Sequence, residues 1–243
     1  TRTKNLGLDI SLFDQKLSTE FDIYSRSTLD MLMGVTYPVL LGATAPQENA
    51  ADLETRGWEF KITHRGHIAS NWDYNVGFNI SDWKTEITKY NNPTGSITTH
   101  YVGKIMGEIW GYKTVGIFQT DEEVANAADQ SQLGPNWQPG DIQFAELNDD
   151  GKITPGKLTL DDPGDRRIIG NSNARYNYGI NLDVAYKRCS LSMFFQGVGK
   201  RDWYPATGGL FFPFQTTMIQ NYEIDESWTE DNRNAYFPAP TRM

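Results

Sequence analysis

The stretch RYNYGINLDVAYKRCSLSMFF, residues 175–195, alternates apolar and polar side chains with a period of two. Tyr176, Tyr178, Ile180, Leu182, Val184 and Tyr186 fall on one face, and Asn177, Gly179, Asn181 and Asp183 on the other. Successive side chains of a strand point to opposite faces, so this pattern fits a strand and fails for a helix. After Lys187-Arg188 the alternation resumes at Cys189, Leu191, Met193 and Phe195, which makes a hairpin. Two further copies precede it. Leu6, Leu8, Ile10 and Leu12 turn at Asp14–Lys16 into Leu17, Thr19, Phe21 and Ile23. Trp58, Phe60 and Ile62 lead through a turn at 64–70 to Trp72, Tyr74, Val76, Phe78 and Ile80. The expectation is an all-β chain with six strands arranged as three hairpins.

The connections between hairpins have another character. Residues 28–55 and the stretch from Asn91 to Asn173 are rich in Gly, Pro, Asn and Asp and far exceed the usual loop of a compact domain. One short helix is expected at 120–130, with Thr120 as cap, Glu123 as its capping-box partner, and Asp121 and Glu122 at the positive helix end. Strands longer than the roughly five to six residues usual in soluble sheets, joined alternately by short turns and long loops, fit part of a large antiparallel transmembrane β-barrel. Trp58, Trp72, Tyr176 and Tyr186 would then be interfacial girdle residues. Asp9, Glu20, Asp22, Asp73, Asn75, Asn181 and Asp183 would face a watery or plugged interior. The short turns would lie on the periplasmic side, and residues near Pro46 and Asp150 outside the cell.

Composition narrows the function classes. The 22 Lys+Arg against 31 Asp+Glu give a formal net charge of -9 with no basic stripe, which argues against a nucleic-acid partner. The lone Cys189 excludes an intramolecular disulfide framework and a cysteine-based zinc site. No run approaches the roughly twenty apolar residues of a membrane helix, and the first residues carry no apolar signal core. The chain begins on a strand pattern without Met, so it is expected to be an internal piece or mature fragment of something longer. No Ser/His/Asp, Cys/His or paired-carboxylate arrangement has a context for catalysis, so it is not expected to be an enzyme.

Four phrases say more than periodicity. "GEIWGYKTVGIFQTDEEV", "WQPGDIQFAELNDDGKI", "LDDPGDRRIIGNSNARYNYGINLD" and "LSMFFQGVGKRDWYP" resemble, in order and over nearly the whole chain, the C-terminal half of the barrel of SusC/RagA-type TonB-dependent outer-membrane transporters. The resemblance implies that residues 1–243 supply about six strands of a plugged barrel of roughly 22, with long extracellular loops, in the bacterial outer membrane. The plug and TonB-contacting segment would lie upstream and the closing strands downstream. It further implies a SusD-like surface lipoprotein as lid and import of oligosaccharides or peptides; no cofactor is expected, with calcium possible. The chain departs from the family at Glu146, often Asp there, and at Ala174, often Pro. The runner-up reading is a soluble, secreted β-sandwich that binds carbohydrate.

Candidate sites follow from residue type. Trp110, Tyr112, Trp137, Trp203 and Tyr204 could stack on sugar rings or contact a lid, or simply pack loop against loop. Glu146, Asn148 and Asp150 place oxygen side chains at alternate positions ahead of Gly151, like the front half of a calcium loop, yet the twelfth position is Lys157 where a carboxylate is required. A turn relieved by Lys152, Arg166 and Arg167 is therefore expected, with calcium as the alternative; crowded Asp149, Asp161, Asp162 and Asp165 would share that relief. His64 and His67 read as residues of a solvated turn rather than a metal pair.

Overall fold

The computed structural model describes residues 1–34, 47–68, 71–204 and 221–240. Two compact units result: residues 1–93, 100–108 and 171–202 form the first, and 94–99, 109–170 and 203–243 the second.

The first unit is a six-stranded antiparallel sheet. In chain order its strands are β1 (Arg2–Leu12), β2 (Leu17–Gly34), β3 (Gln47–Ile68) and β4 (Trp72–Tyr90), followed by two labelled after the elements of the second unit, β9 (Arg175–Tyr186) and β10 (Cys189–Lys200). They lie side by side in the order β1-β2-β3-β4-β9-β10. All three expected hairpins are present. The strands run further than the alternation suggested: β2 and β3 stay paired through Met31↔Ala51 and Gly34↔Gln47, deep into the stretch read as a long connection, past irregularities between Thr28 and Leu32. Likewise β3 continues to Ile68, so His64 and His67 belong to a strand and not to a turn. Pairing with β4 carries on there, His64 with Val76 and Ile68 with Trp72, because cross-strand partners outweigh a glycine and two polar residues. Pro46, Ala69 and Ser70 lie outside the described residues.

Register converts the one-strand alternation into faces. Leu8, Phe21, Phe60, Ile80 and Tyr178 stand opposite one another across five strands, and the next row is Ile10, Thr19, Ile62, Phe78, Ile180 and Phe195. This face is uncovered: Leu6 is 69% and Leu191 57% exposed. At the turn end it closes in Trp72 and Tyr186, whose rings sit 4.5 Å apart. At the other end lie Trp58, Asp82 and the left-handed Tyr176 with φ 55°. Along β4 the span from Trp72 to Asp82 is about 34 Å at ~3.4 Å per residue, or about 26 Å once a strand is tilted by roughly 40°. The opposite face is polar and internally bonded: Asn5 donates to Asp22 at 3.2 Å, Lys61 pairs with Glu20 at 2.9 Å and Asn75 donates to Asp183 at 3.1 Å.

Strands β4 and β9 are neighbours although residues 91–174, most of them belonging to the second unit, separate them in sequence. Their ladder ends at Ser81↔Asn177. Just beyond, both Nε and Nη2 of Arg175 donate to the buried carboxylate of Asp82, a two-pronged charged clamp at the point where the chain re-enters the sheet.

Glycines recur opposite tyrosines. Tyr24 faces Gly57, Tyr74 faces Gly66 and Tyr178 faces Gly197 as direct cross-strand partners, and a Cβ at Gly197 would come 2.5 Å from the Tyr178 ring and hydroxyl. Each ring lies over the bare backbone of its neighbour and covers it, which offsets the weakness of glycine in a strand. Ordinarily alanine would strengthen such a position. Here Gly197→Ala should instead destabilise by about 1–3 kcal/mol through overpacking, and the loss should largely vanish in a Tyr178→Ala background; equilibrium unfolding of the four species of that cycle measures the coupling.

Candidate functional site

The second unit combines residues 94–99 and 109–170, which lie between β4 and β9 in sequence, with residues that follow β10, and is built from short pieces. These are β5 (Glu108–Tyr112), β6 (Thr114–Ile117), α1 (Asp121–Asn126), β7 (Ile142–Phe144), β8 (Arg166–Asn171) and α2 (Asn221–Asp225), with β5 paired to β8 and β6 to β7. The sequence reading foresaw α1 alone among these. Its cap is as expected, with the Thr120 hydroxyl accepting from the Glu123 N–H at 3.2 Å, while the Glu123 carboxylate reaches one residue past the cap to the Gln119 N–H at 2.6 Å.

Two of the five aromatic candidates converge. Tyr112 and Trp137 both pack on Phe144, with ring centroids 5.5 and 6.3 Å away, and the Arg166 guanidinium lies 5.2 Å from the Tyr112 centroid. Gln130, which sequence reasoning passed over, fixes this cluster. Its buried side chain donates to the Ile142 carbonyl at 3.1 Å and accepts from the Phe144 N–H at 2.7 Å, while its own carbonyl takes the Trp137 indole N–H at 3.0 Å. Nothing in "ADQSQL" marks a glutamine for that task. Beside the cluster, Phe118, Val124, Ala127, Ala128, Gln130 and Trp137 line an open hollow of about 330 Å³. Trp110 lies on β5, half-buried, whereas Trp203 and Tyr204 follow β10 and are each 65% exposed. The chemistry offered is flat apolar faces with amide edges, suited to contact and not to bond-breaking.

The 146–165 loop is held differently from the expectation. Glu146 Oε1 accepts the N–H groups of Asn148 and Asp150 at 2.9 and 3.1 Å, Asp150 accepts from the Lys152 N–H at 2.8 Å, and Asn148 Nδ2 donates to Asp150 at 3.1 Å. Asp165 is fully buried and accepts from the N–H groups of Leu147 and Thr154 at 2.8 and 2.7 Å. Backbone amides, rather than basic side chains, thus relieve these carboxylates. Arg167 donates instead to the carbonyls of Gly164 and Arg166, and the ion pair formed in this loop joins Lys157 to Asp162 at 3.8 Å. The left-handed Asp149 and Gly151, at φ 60° and 75°, fold the chain tightly enough for its amides to reach inward. Among the described residues no group of three or more His, Cys, Asp and Glu converges as a metal set. Nearby, the Ser131 N–H and hydroxyl hold the Asp129 carboxyl below its ordinary value, with Lys152 adding to the effect.

The phrase "WQPGD" has a structural cause. Gly140 takes φ +96°, donates to the Phe118 carbonyl at 2.7 Å and accepts from Ala239 at 2.8 Å, and a Cβ there would meet Ala239 at 2.6 Å and the Trp228 ring at 2.7 Å. Trp228 in turn donates its indole N–H to Gln119 at 3.0 Å. Gly140→Ala should therefore cost about 2–4 kcal/mol, since a left-handed backbone and a steric conflict add, and limited proteolysis should open the second unit first.

No family model matches this chain. The TonB-dependent receptors P3 and P39 of Formosa agariphila are 26% and 27% identical to it over 97% and 100% of its length. The TonB-dependent receptor SusC of Bacteroides thetaiotaomicron is 26% identical over 79%. The chain spans 24% of the length of each Formosa receptor and 18% of SusC. Its backbone matches the RagAB peptide importer in the open-open state with a TM-score of 0.65 at 19% identity, covering 99% of this chain and 25% of that one. The RagAB peptide transporter gives 0.59 at 20%. The resemblance to SusC/RagA-type TonB-dependent receptors is thus borne out over nearly the whole chain, and its relatives are receptors, not enzymes. The fold is all-β, an open section of antiparallel wall of the kind found in these transporters.

Proposed function

We propose that this chain forms part of the barrel wall of an outer-membrane importer driven through TonB, with its apolar face in lipid and its polar face toward the transport path. One observation carries the reading: a single sheet of strands up to 22 residues long leaves an aligned apolar face uncovered. In the runner-up, a soluble carbohydrate-binding sandwich, that face would pack against a second sheet; the described strands of the first unit form one sheet. The uncovered face favours the wall.

On this reading the plug, the TonB-contacting segment and the remaining strands belong to other parts of the full-length protein. The second unit stands on the extracellular side, where its aromatic residues meet the imported oligosaccharide or peptide or a SusD-like lid. Tyr112 and Trp137 are better placed to shape the rigid support beneath such a contact, and the exposed Trp203 and Tyr204 to make it. The loop at Glu146, Asn148 and Asp150 serves as a self-bonded turn that needs no calcium to hold its shape.

Leu182 stands on the apolar face between Val76 and Met193, and Asn181 on the other. Arginine at Leu182 should cost about 2–4 kcal/mol of folding free energy in lipid vesicles, and at Asn181 much less. Equal tolerance at the two sites would leave the strand outside the membrane. Orientation has its own check in a Cys189→Ala background. A cysteine introduced at Asp150 should react with an impermeant maleimide on intact cells, and one at Asp14 only after the outer membrane is permeabilised.

A further inference from the structure

The apolar face does not fade gradually into solvent. Immediately beyond the row Leu6–Ile23–Trp58–Asp82 comes Lys4–Ser25–Arg56–Lys84, paired residue to residue across β1, β2, β3 and β4. Lys4, Arg56 and Lys84 are all exposed, Arg56 with 73% of its side chain. One row further stand Arg2, Ser27, Glu54 and Glu86. Glu54 accepts from the Ser25 hydroxyl at 2.9 Å and from Arg56 Nη2 at 2.8 Å, which steadies the guanidinium at one edge. A shallow cleft opens at this level, lined by Trp58, Arg56 and Lys84, by the carboxylates of Glu54 and Glu86, and by Arg175 clamped on Asp82.

We propose that this basic row binds the phosphate groups of lipid headgroups at the rim of the apolar band. The inference rests on the reading that the band lies in the membrane, and it adds a ligand to that reading. The row sits about 7 Å past the last apolar row, at two residues of ~3.4 Å each, which is the depth at which acyl chain gives way to headgroup. Across four strands the cations span about 14 Å at ~4.8 Å per strand, enough to engage more than one phosphate. Lysine and arginine stems lie along apolar surface while their heads reach the interface, and arginine can hold a phosphate with two parallel donors. Chain charge as a whole is negative, so a row of three cations facing outward is a local feature and does not follow from composition. Glu54 and Glu86 stand on the far, aqueous side of the row, and Asp82 on the near side is already neutralised by Arg175, so Lys4 and Lys84 are left to face the bilayer edge with Arg56.

The test uses the full-length receptor that carries this chain, reconstituted into phosphatidylcholine vesicles with and without a minor fraction of diphosphoryl lipid A. Retained lipid is counted by mass spectrometry after extraction in detergent. The wild type should retain the phosphorylated lipid, and the triple variant K4Q/R56Q/K84Q should bind it about tenfold or more weakly. Lys61→Gln, which removes a charge from the polar face, should leave retention unchanged. Should the triple variant fail to fold, Lys84→Glu alone must still weaken retention. Equal retention by wild type and variants, equal retention of dephosphorylated lipid A, or binding of inorganic phosphate as tight as that of the lipid would each overturn the proposal while the wall reading stands. Failure of the wild type to enter phosphatidylcholine vesicles at all would overturn both.

Discussion

Unpaired backbone amides and carbonyls are costly wherever water is kept from them, and the pairing of the first unit's six strands answers that cost. Within this sheet β2, β3, β4 and β9 each pair with a strand on both sides, so their backbone groups along the apolar face are satisfied by neighbouring strands. The ladder also dictates register. Because the side-chain period is two, slipping β4 by one residue against β3 would send Tyr74, Val76, Phe78 and Ile80 to the polar face and Asp73, Asn75 and Asn79 to the apolar one. Such a slip has no compensating gain, and that makes the register robust along its whole length. The outer flanks of β1 and β10 have no partner strand among the described residues.

What could be read from the sequence divides along the same line. Period-two alternation is a direct image of a sheet with two different faces, so all six long strands and the three hairpins were legible, as was the turn at Lys187-Arg188. The ends of the strands were not. Residues 28–34 and 47–55 carry Gly, Asp and Asn and pass irregularities near Met31, so their alternation is broken although cross-strand bonding holds them. His64 and His67 failed for a similar reason: a glycine between two histidines looks like a turn, while the neighbouring strand supplies the pairing that keeps it straight. In the second unit the pieces are mostly three to six residues long, below the length at which periodicity is informative.

The acidic loop marks another limit. Counting charges suggested that Glu146, Asp150 and Asp165 would look to lysine and arginine, but a carboxylate is equally served by N–H groups that a tight turn aims at it. Two left-handed residues, Asp149 and Gly151, create that turn. Sequence shows the glycine and hides the aspartate. The same holds for Gln130, whose side chain bonds the Ile142 carbonyl and the Phe144 N–H of β7 while its own carbonyl takes the Trp137 indole N–H. Of the aromatic candidates, Tyr112 and Trp137 are bound into the framework of this region, while Trp203 and Tyr204 stay at the surface.

The clamp of Arg175 on Asp82 has a bearing on how such a wall can be assembled. Closing β9 onto β4 across a stretch about forty times longer than the two-residue turn before β10 carries an entropic penalty of about 3 kcal/mol if that stretch is a free coil. A second unit that has already folded removes most of those coil configurations beforehand, and the buried ion pair then rewards the first contact made at the re-entry point. The second unit draws on residues after β10 as well, through the bonds of Ala239 to Gly140 and of Trp228 to Gln119, so the segments on either side of β9 and β10 are tied together once the sheet has closed.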